Sequence, residues 1–592
     1  MTPGVRIAPD GVTFTVVSRD ATGLELCLFE GEQERRLAMA RTDDFYHITM
    51  PDVSEGQRYG YRASGPWAPQ IGQLFDNSKL LIDPAAVALD RRFVFDPRLA
   101  ERGVDTAAIM PKSVVTKAFE TAHRPSLFRP GGLIYEINVR GFTKLRPDIP
   151  ESQRGTIAAL AHPAVLSHLR KLGVNAVELM PVVAWIDERH LAPLGLRNAW
   201  GYNPVVPMAL DPGLAPGGIA ELQSTVEALH AQGIAVILDL VLNHTGESDA
   251  LGPTLSMRGL DSRYYARAPD GALINDTGTG NTLNAGEPLV RQLVLDTLRH
   301  FVRHCGVDGF RFDLATVLAR GPGFDPKAPI FAEIASDPLL SDRLLIAEPW
   351  DVGPGGYQLG NFPATWLEWN DRYRDDVRRF WRGDAGTLGT LATRIMGSSD
   401  IFSGTQSRSV NYLASHDGFT LADLVSFRER HNDANGENNR DGQTENFSWN
   451  NGAEGPIFDS TIRARRDQDV RALLSTLFAS RGTIMLSAGD EFGHSKNGNN
   501  NAYAQDNAIT WLDWEKRDRS LEDFVAELAR KRAARPQLGT PQFLRDAEWR
   551  GLDGMPMTSA RWERPDEAGF FVSLPEDIVL QINRRKRLVE WP

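Results

Sequence analysis

The chain has 592 residues, 42% of them hydrophobic and 24% charged, an ordinary globular composition spread over too much chain for one hydrophobic core. Two to four domains are therefore expected. A formal net charge of −12 speaks against a surface built to grip phosphates, so no nucleic-acid partner is expected. No apolar run reaches the ~18–20 residues that cross a bilayer, so no membrane partner is expected either. The first residues show no basic patch followed by an apolar stretch, which makes the cytoplasm the expected location. Cys27 and Cys305 are isolated, too few for a disulfide framework and without metal-type spacing.

Residues 1–120 read as a β-sandwich. Gly11-Val-Thr-Phe-Thr-Val-Val and Leu24-Glu-Leu-Cys-Leu-Phe alternate as half-buried strands do, with turn residues between such runs. Phe95 to Pro130, with several Pro and Arg residues, reads as a connecting segment. From Gly132 short apolar runs alternate with helical stretches. The strands are expected at Leu133 to Arg140, Ala176 to Val182, Ala235 to Leu242, Gly309 to Leu314, Arg343 to Glu348, Trp366 to Asn370, Ser409 to Ser415 and Thr483 to Ala488. Between them helices are expected over Ile157 to Leu172, Ile219 to Gln232 and Pro288 to His304. This order fits either an open doubly wound sheet or a closed (β/α)8 barrel. Polar residues gathered at the C-terminal ends of the strands, and no glycine-rich dinucleotide loop after the first, favour the barrel. The expected architecture is multidomain α/β. It comprises an N-terminal β-sandwich, a central barrel over residues 121–538 and a small C-terminal β-domain over residues 539–592.

The strand ends carry the chemistry. Asp313 closes the fourth strand and Glu348 the fifth, so the two carboxyl groups can face each other across a sugar at the ~5–5.5 Å spacing of a retaining glycosidase. Arg311 lies two residues before Asp313, on the same face of the strand, and would hold it ionised. Glu348 sits between apolar neighbours in Ile346-Ala-Glu-Pro-Trp, where desolvation raises a carboxyl pKa as a general acid requires. The third strand leads into Asn243-His244 and the seventh into His416-Asp417. These are suitable partners for sugar hydroxyls, and their spacing is not a zinc pattern.

Asp239 to His244, Gly309-Phe-Arg-Phe-Asp313, Glu348 and His416-Asp417 resemble the four signature regions of the α-amylase superfamily (glycoside hydrolase family 13), in the right order. The resemblance implies that Asp313 is the nucleophile, Glu348 the acid/base and Asp417 a third carboxylate that holds sugar hydroxyls. It implies that Arg311, His244 and His416 line the subsite at the cleaved bond, and that Asp239 and Asn243 complete the substrate-binding set by shaping it. Phe75-Asp-Asn-Ser-Lys, Ile134-Tyr-Glu-Ile-Asn-Val-Arg-Gly-Phe-Thr, Trp200-Gly-Tyr-Asn-Pro and Gly489-Asp-Glu-Phe-Gly are similar to the glycogen debranching enzyme and isoamylase subgroup. By that likeness Trp200 and Tyr202 bind substrate, Tyr202 as a stacking ring, and the sandwich is a glycogen-binding-type module. Asn138, where the subgroup usually has His, and Leu242, where it has Tyr, depart from the pattern.

The function this implies is hydrolysis of α-1,6 branch linkages in glycogen or limit dextrin. The alternatives are a pullulanase, a branching enzyme or a 4-α-glucanotransferase on the same barrel and, remotely, a glycan-binding protein without activity. No cofactor is expected; the family sometimes holds structural calcium, for which no ligand set is assignable. The Asn- and Gly-rich stretch Arg430 to Asn451 reads as a loop above the barrel, disordered or walling the cleft, with Trp449 as a stacking platform.

Overall fold

A computed structural model of the chain describes residues 1–117, 120–321, 323–544, 547–576 and 578–591. Two four-stranded antiparallel sheets form the N-terminal part. One runs in the order Gly4–Ala8, Gly11–Val17, Phe45–Met50, Ala40–Thr42, the other Ser113–Val114, Arg58–Ser64, Gly23–Glu30, Gln33–Ala38. Alternation drives their packing: Val12, Phe14 and Val16 meet Leu24, Leu26, Leu28, Tyr59 and Tyr61 in one core. Cys27 and Phe29, on the opposite face of their strand, pack instead on Leu80, Ala184 and Val205, so the sandwich lies against the barrel. Part of the expected connecting segment is thus sheet, since Ser113–Val114 pairs with Arg58–Ser64; Ala118 and Phe119 of that segment lie outside the described residues.

The eight expected strands close into a parallel barrel: Leu133–Ile137, Ala176–Leu179, Ala235–Leu240, Gly309–Phe312, Leu344–Ala347, Leu367–Trp369, Ser409–Asn411 and Thr483–Ser487. Pairing of the first with the eighth, Leu133 opposite Ile484, excludes an open sheet. Helices including Pro163–Lys171, Gly218–His230, Pro288–Cys305, Asp371–Arg382, Ser460–Ala479 and Arg519–Ala533 surround it. A C-terminal antiparallel sheet, Glu548–Gly551, Gly569–Leu574, Ile578–Asn583 and Leu588–Glu590, joins the same core through Phe570, Val572 and Leu580.

Some boundaries move for local reasons. The first strand stops at Ile137 rather than Arg140, because the Asn138 side chain accepts the Gly141 N–H at 2.8 Å and starts a short helix, Val139–Thr143. The helix expected over Ile157 to Leu172 is split at Pro163, which lacks an N–H: a 3-10 turn over Ile157–Ala161 precedes the α-helix.

Strand parity sorts the barrel's side chains. Tyr135, Ile137, Val177, Leu179, Val236 and Leu238 point outward into the core shared with the helices. Ile134, Ala176, Ile237, Ile346, Trp369 and Val410 form a separate apolar cluster inside the barrel. Two residues further along each strand, on that inner parity, come Glu136, Glu178, Asp239 and Glu348. The inner core therefore ends on a layer of ionisable groups at the C-terminal face.

Glu178 is fully buried with neither carboxyl oxygen hydrogen-bonded among the described residues. Burial first, then the charges of Asp239 and Glu136, push its pKa well above the usual carboxyl range. The native state keeps a proton that the unfolded chain releases above its ordinary pKa, so this group's contribution to stability falls as pH rises. Glu178→Gln, which carries no titrating proton, is expected to gain on the parent by up to about 1.4 kcal/mol per pH unit between pH 5 and 8. Denaturant melts at both pH values check this, and a pH-independent difference between the two proteins contradicts it.

Candidate active site

Arg311 organises the centre of the site. The fourth strand delivers it inward, and Trp369 of the sixth strand lies 4.4 Å beneath its guanidinium. Its Nη1 donates to Asp313 Oδ1 at 2.9 Å and to Asp239 at 3.0 Å, while Nη2 stands 3.1 Å from Glu348 Oε2. One buried cation thus bridges carboxylates from the third, fourth and fifth strands. The side chains of Arg311 and Asp239 are 0% and 1% exposed, whereas those of Asp313 and Glu348 are each 13% exposed. Only the latter pair can meet a ligand.

Their surroundings differ. Asp313 receives a second donor, Asn243 Nδ2, at 2.8 Å, so each of its two oxygens accepts from a different side chain. Glu348 accepts the Leu314 N–H at 2.8 Å, but burial outweighs the Arg311 charge, the neighbouring Asp313 adds to it, and its pKa is pushed up to about 8. A side chain held by two donors thus stands beside a carboxyl group that keeps its proton at neutral pH, an arrangement suited to a nucleophile and a general acid.

Aromatic rings build one wall. Gly201, at φ +87, lies where a Cβ would come within 2.9 Å of the Pro181 carbonyl oxygen, and it lets Trp200 and Tyr202 both reach His416. The Tyr202 and His416 rings stack at 4.8 Å, and Trp200 meets His416 edge-on at 4.9 Å. Tyr202 Oη donates to Asp239 Oδ2 at 2.5 Å. His244 lies between Asn243 Oδ1 at 2.5 Å and the Tyr202 carbonyl at 3.1 Å, and burial lowers its pKa. Asp417 completes the wall and accepts from Gln443 Nε2 at 3.1 Å.

Arg311, Asp313, Glu348, Asp239, Asn243, His244, His416, Asp417, Trp200 and Tyr202 therefore fall in one region, but with different surroundings. Asp239, expected in the substrate-binding set, is sealed beneath Arg311 and Tyr202 and has no surface for a sugar. Arg311 is likewise sealed, and Asn243 is buried against Asp313. Asp239 is held by Arg311 and Tyr202, while Arg311 and Asn243 both donate to Asp313. Glu136, Trp369, Gln443 and Lys496 also belong to the site and went unrecognised. An acid at inward parity in an otherwise apolar strand was the available signal for Glu136. Asn138 caps a helix and donates to the Ala199 carbonyl at 2.7 Å. Among the described residues, no group of three or more His, Cys, Asp or Glu side chains is placed to hold a metal ion.

The loop from Arg430 to Asn451 is ordered. Buried Asn432, Asn435 and Asn500 tie it to the segment after the eighth strand: Asn500 Nδ2 donates to the Gln443 carbonyl at 2.8 Å and to Asn446 Oδ1 at 2.9 Å, and Asn432 Nδ2 donates to Asn500 Oδ1 at 2.8 Å. Trp449 is not a stacking platform. It packs against the barrel's outer core and its indole donates to Asp469 Oδ2 at 2.6 Å. Gln443 is what carries the loop to Asp417. Asn500→Ala leaves several buried groups unpaired and is expected to cost about 3 kcal/mol in denaturant unfolding. A change below about 0.5 kcal/mol would show that the network does not hold the loop.

Comparison with known proteins places the chain among relatives. Residues 3–86 match the model of carbohydrate-binding module 48, the isoamylase N-terminal domain. The chain is 47% identical over 605 residues to a glycogen debranching enzyme of Yersinia enterocolitica, covering 98% of this chain and 91% of that one. It is 47% identical over 604 residues to one from Yersinia pestis, with the same coverage. Among solved structures it resembles the type I pullulanase of Bacillus subtilis complexed with maltose, with a TM-score of 0.74 at 21% identity, over 99% of this chain and 79% of that one. It also resembles an Anoxybacillus pullulanase complexed with maltotetraose, with a TM-score of 0.71 at 23% identity, over 98% and 81%. The structural likenesses bear on the fold, and the near full-length sequence identity on the lineage: the chain belongs to the glycogen debranching enzymes of the α-amylase superfamily.

Proposed function

We propose that the protein hydrolyses the α-1,6-glucosidic branch linkages of glycogen or its limit dextrin, with retention of configuration. The observation that carries this reading is the Arg311 bridge, which sets a donor-held carboxylate and a proton-retaining carboxyl on two nitrogens of one guanidinium. Asp313 attacks the anomeric carbon as Glu348 gives its proton to the departing glycosidic oxygen, and the C–O bond breaks. Glu348, now a carboxylate, takes a proton from water. The oxygen of that water attacks the same carbon, releasing Asp313. Asp417 and His416 hold hydroxyls of the sugar whose bond is cut, and Tyr202 stacks on its ring. The reaction as proposed draws on these side chains and water and uses no cofactor.

The choice of the branch linkage rests on the 47% identity to debranching enzymes. We divide the chain into a glycan-binding-type module over residues 1–120, the catalytic barrel over 121–538 and a C-terminal β-domain over 539–592. A cytoplasmic setting accords with Cys27 and Cys305 being buried free thiols. Incubation with a branched limit dextrin is expected to release short linear chains, with one new reducing end for each branch lost. Chain lengths that are redistributed without new reducing ends would instead identify a transferase.

A further inference from the structure

Glu136 takes no part in the double displacement, yet it is buried against a residue that does. Its Oε1 lies 2.8 Å from His416 Nδ1, and its Oε2 accepts the His416 backbone N–H at 2.8 Å and the Ser487 hydroxyl at 2.9 Å. One carboxylate from the first strand therefore grips both the ring and the main chain of the residue immediately before Asp417. Other partners fix the remaining sides of His416. Tyr202 stacks on it, Trp200 meets it edge-on, and Lys496 Nζ donates to its carbonyl at 2.8 Å. Its Nε2 has no hydrogen bond among the described residues.

We propose that Glu136 is a positioning residue that locks the ring and the Nδ1 proton of His416, so that Nε2–H is presented as a charged donor to a sugar hydroxyl beside Asp417. A carboxylate on one ring nitrogen fixes which nitrogen carries the first proton and strengthens the donor at the other. The titratable and charged groups around the ring are Glu136 from the first strand, Tyr202 after the second, Asp239, Arg311 and Glu348 from the third to fifth, Asp417 on its own loop and Lys496 after the eighth, with Asp490 lining the same cavity. Burial and Arg311 disfavour the imidazolium, but Glu136, aided by Asp417, outweighs them and raises the pKa of His416. The same pair keeps buried Glu136 ionised, its pKa lowered chiefly by His416 against the cost of burial.

This inference rests on that face being the glycosidase site, but its primary test does not. In the substrate-free protein labelled with 15N-histidine, with the His416 signal assigned from the spectrum of His416→Gln, the ring is expected to titrate above the ordinary value near 6.5. In Glu136→Gln the midpoint should fall by about one pH unit or more. With branched substrate, Glu136→Gln is expected to lose roughly 10–100-fold in kcat while KM stays within about threefold, and the alkaline limb of its pH profile should move to lower pH. Glu136→Asp, which keeps the charge, should recover part of that limb. A wild-type His416 that titrates at or below the ordinary value overturns the proposal, even if Glu136→Gln does not fold. So does a folded Glu136→Gln whose His416 titration and pH profile match the parent. Normal titration shifts in a protein without activity on branched glucan would leave the placement of His416 standing and overturn only the reading of the reaction.

Discussion

Asp313→Asn is expected to fold, to bind branched glucan and to turn it over roughly 10⁴-fold or more slowly than the parent. The amide cannot form the glycosyl ester or balance charge on the anomeric carbon. Folding should survive because position 313 is partly open to solvent and an amide oxygen can still accept from Arg311 or Asn243. Binding should survive because His416, Asp417 and Tyr202 are untouched. Initial rates of reducing-end release, set beside a dissociation constant from calorimetry, separate the two. Activity within tenfold of the parent would remove Asp313 from the nucleophile's role.

Glu348→Gln is expected to lose roughly 10³-fold on natural glucan, where the departing oxygen must be protonated, but far less on an activated aryl glucoside, whose leaving group departs unaided. Equal losses on both substrates in a folded variant would mean that Glu348 is not the acid. The pH dependence follows from its raised pKa of about 8. The acid is protonated through neutrality, so the parent's rate should fall on the alkaline side near pH 8. Stability carries the same sign. The native carboxyl keeps its proton between the ordinary value near 4.5 and about 8, where the unfolded chain has lost it, so its contribution declines across that window. The stability of Glu348→Gln relative to the parent should therefore rise from pH 5 to pH 8.

The barrel was legible because its evidence is local. Each strand is a short apolar run, and parity alone decides that Arg311, Asp313 and Glu348 face one side once Phe310, Phe312 and Ala347 face the other. The partners of these groups were less legible, because they are set by barrel closure. Glu136 reads in sequence as an interruption of an apolar strand. Only the return of the eighth strand beside the first, and of the seventh strand's loop above it, makes it the anchor of His416. Asp239 is marked by its motif as a residue that shapes the site, and which side chains cover it, Arg311 and Tyr202, is set by the neighbouring strands. Trp449 misled because an aromatic in a polar loop suggests a platform, whereas Asp469 on the helix Ser460–Ala479 draws its indole inward.

Asp313 and Glu348 are proposed to cut α-1,6 bonds by double displacement. Proton NMR of a short branched maltooligosaccharide of defined structure, followed from the first minutes of reaction, tests linkage and stereochemistry together. The α-1,6 anomeric signal is expected to decay while the α-1,4 signals persist, and the new reducing end to appear first as the α-anomer before it mutarotates. First appearance of the β-anomer, or loss of α-1,4 signals ahead of the α-1,6 signal, would contradict it.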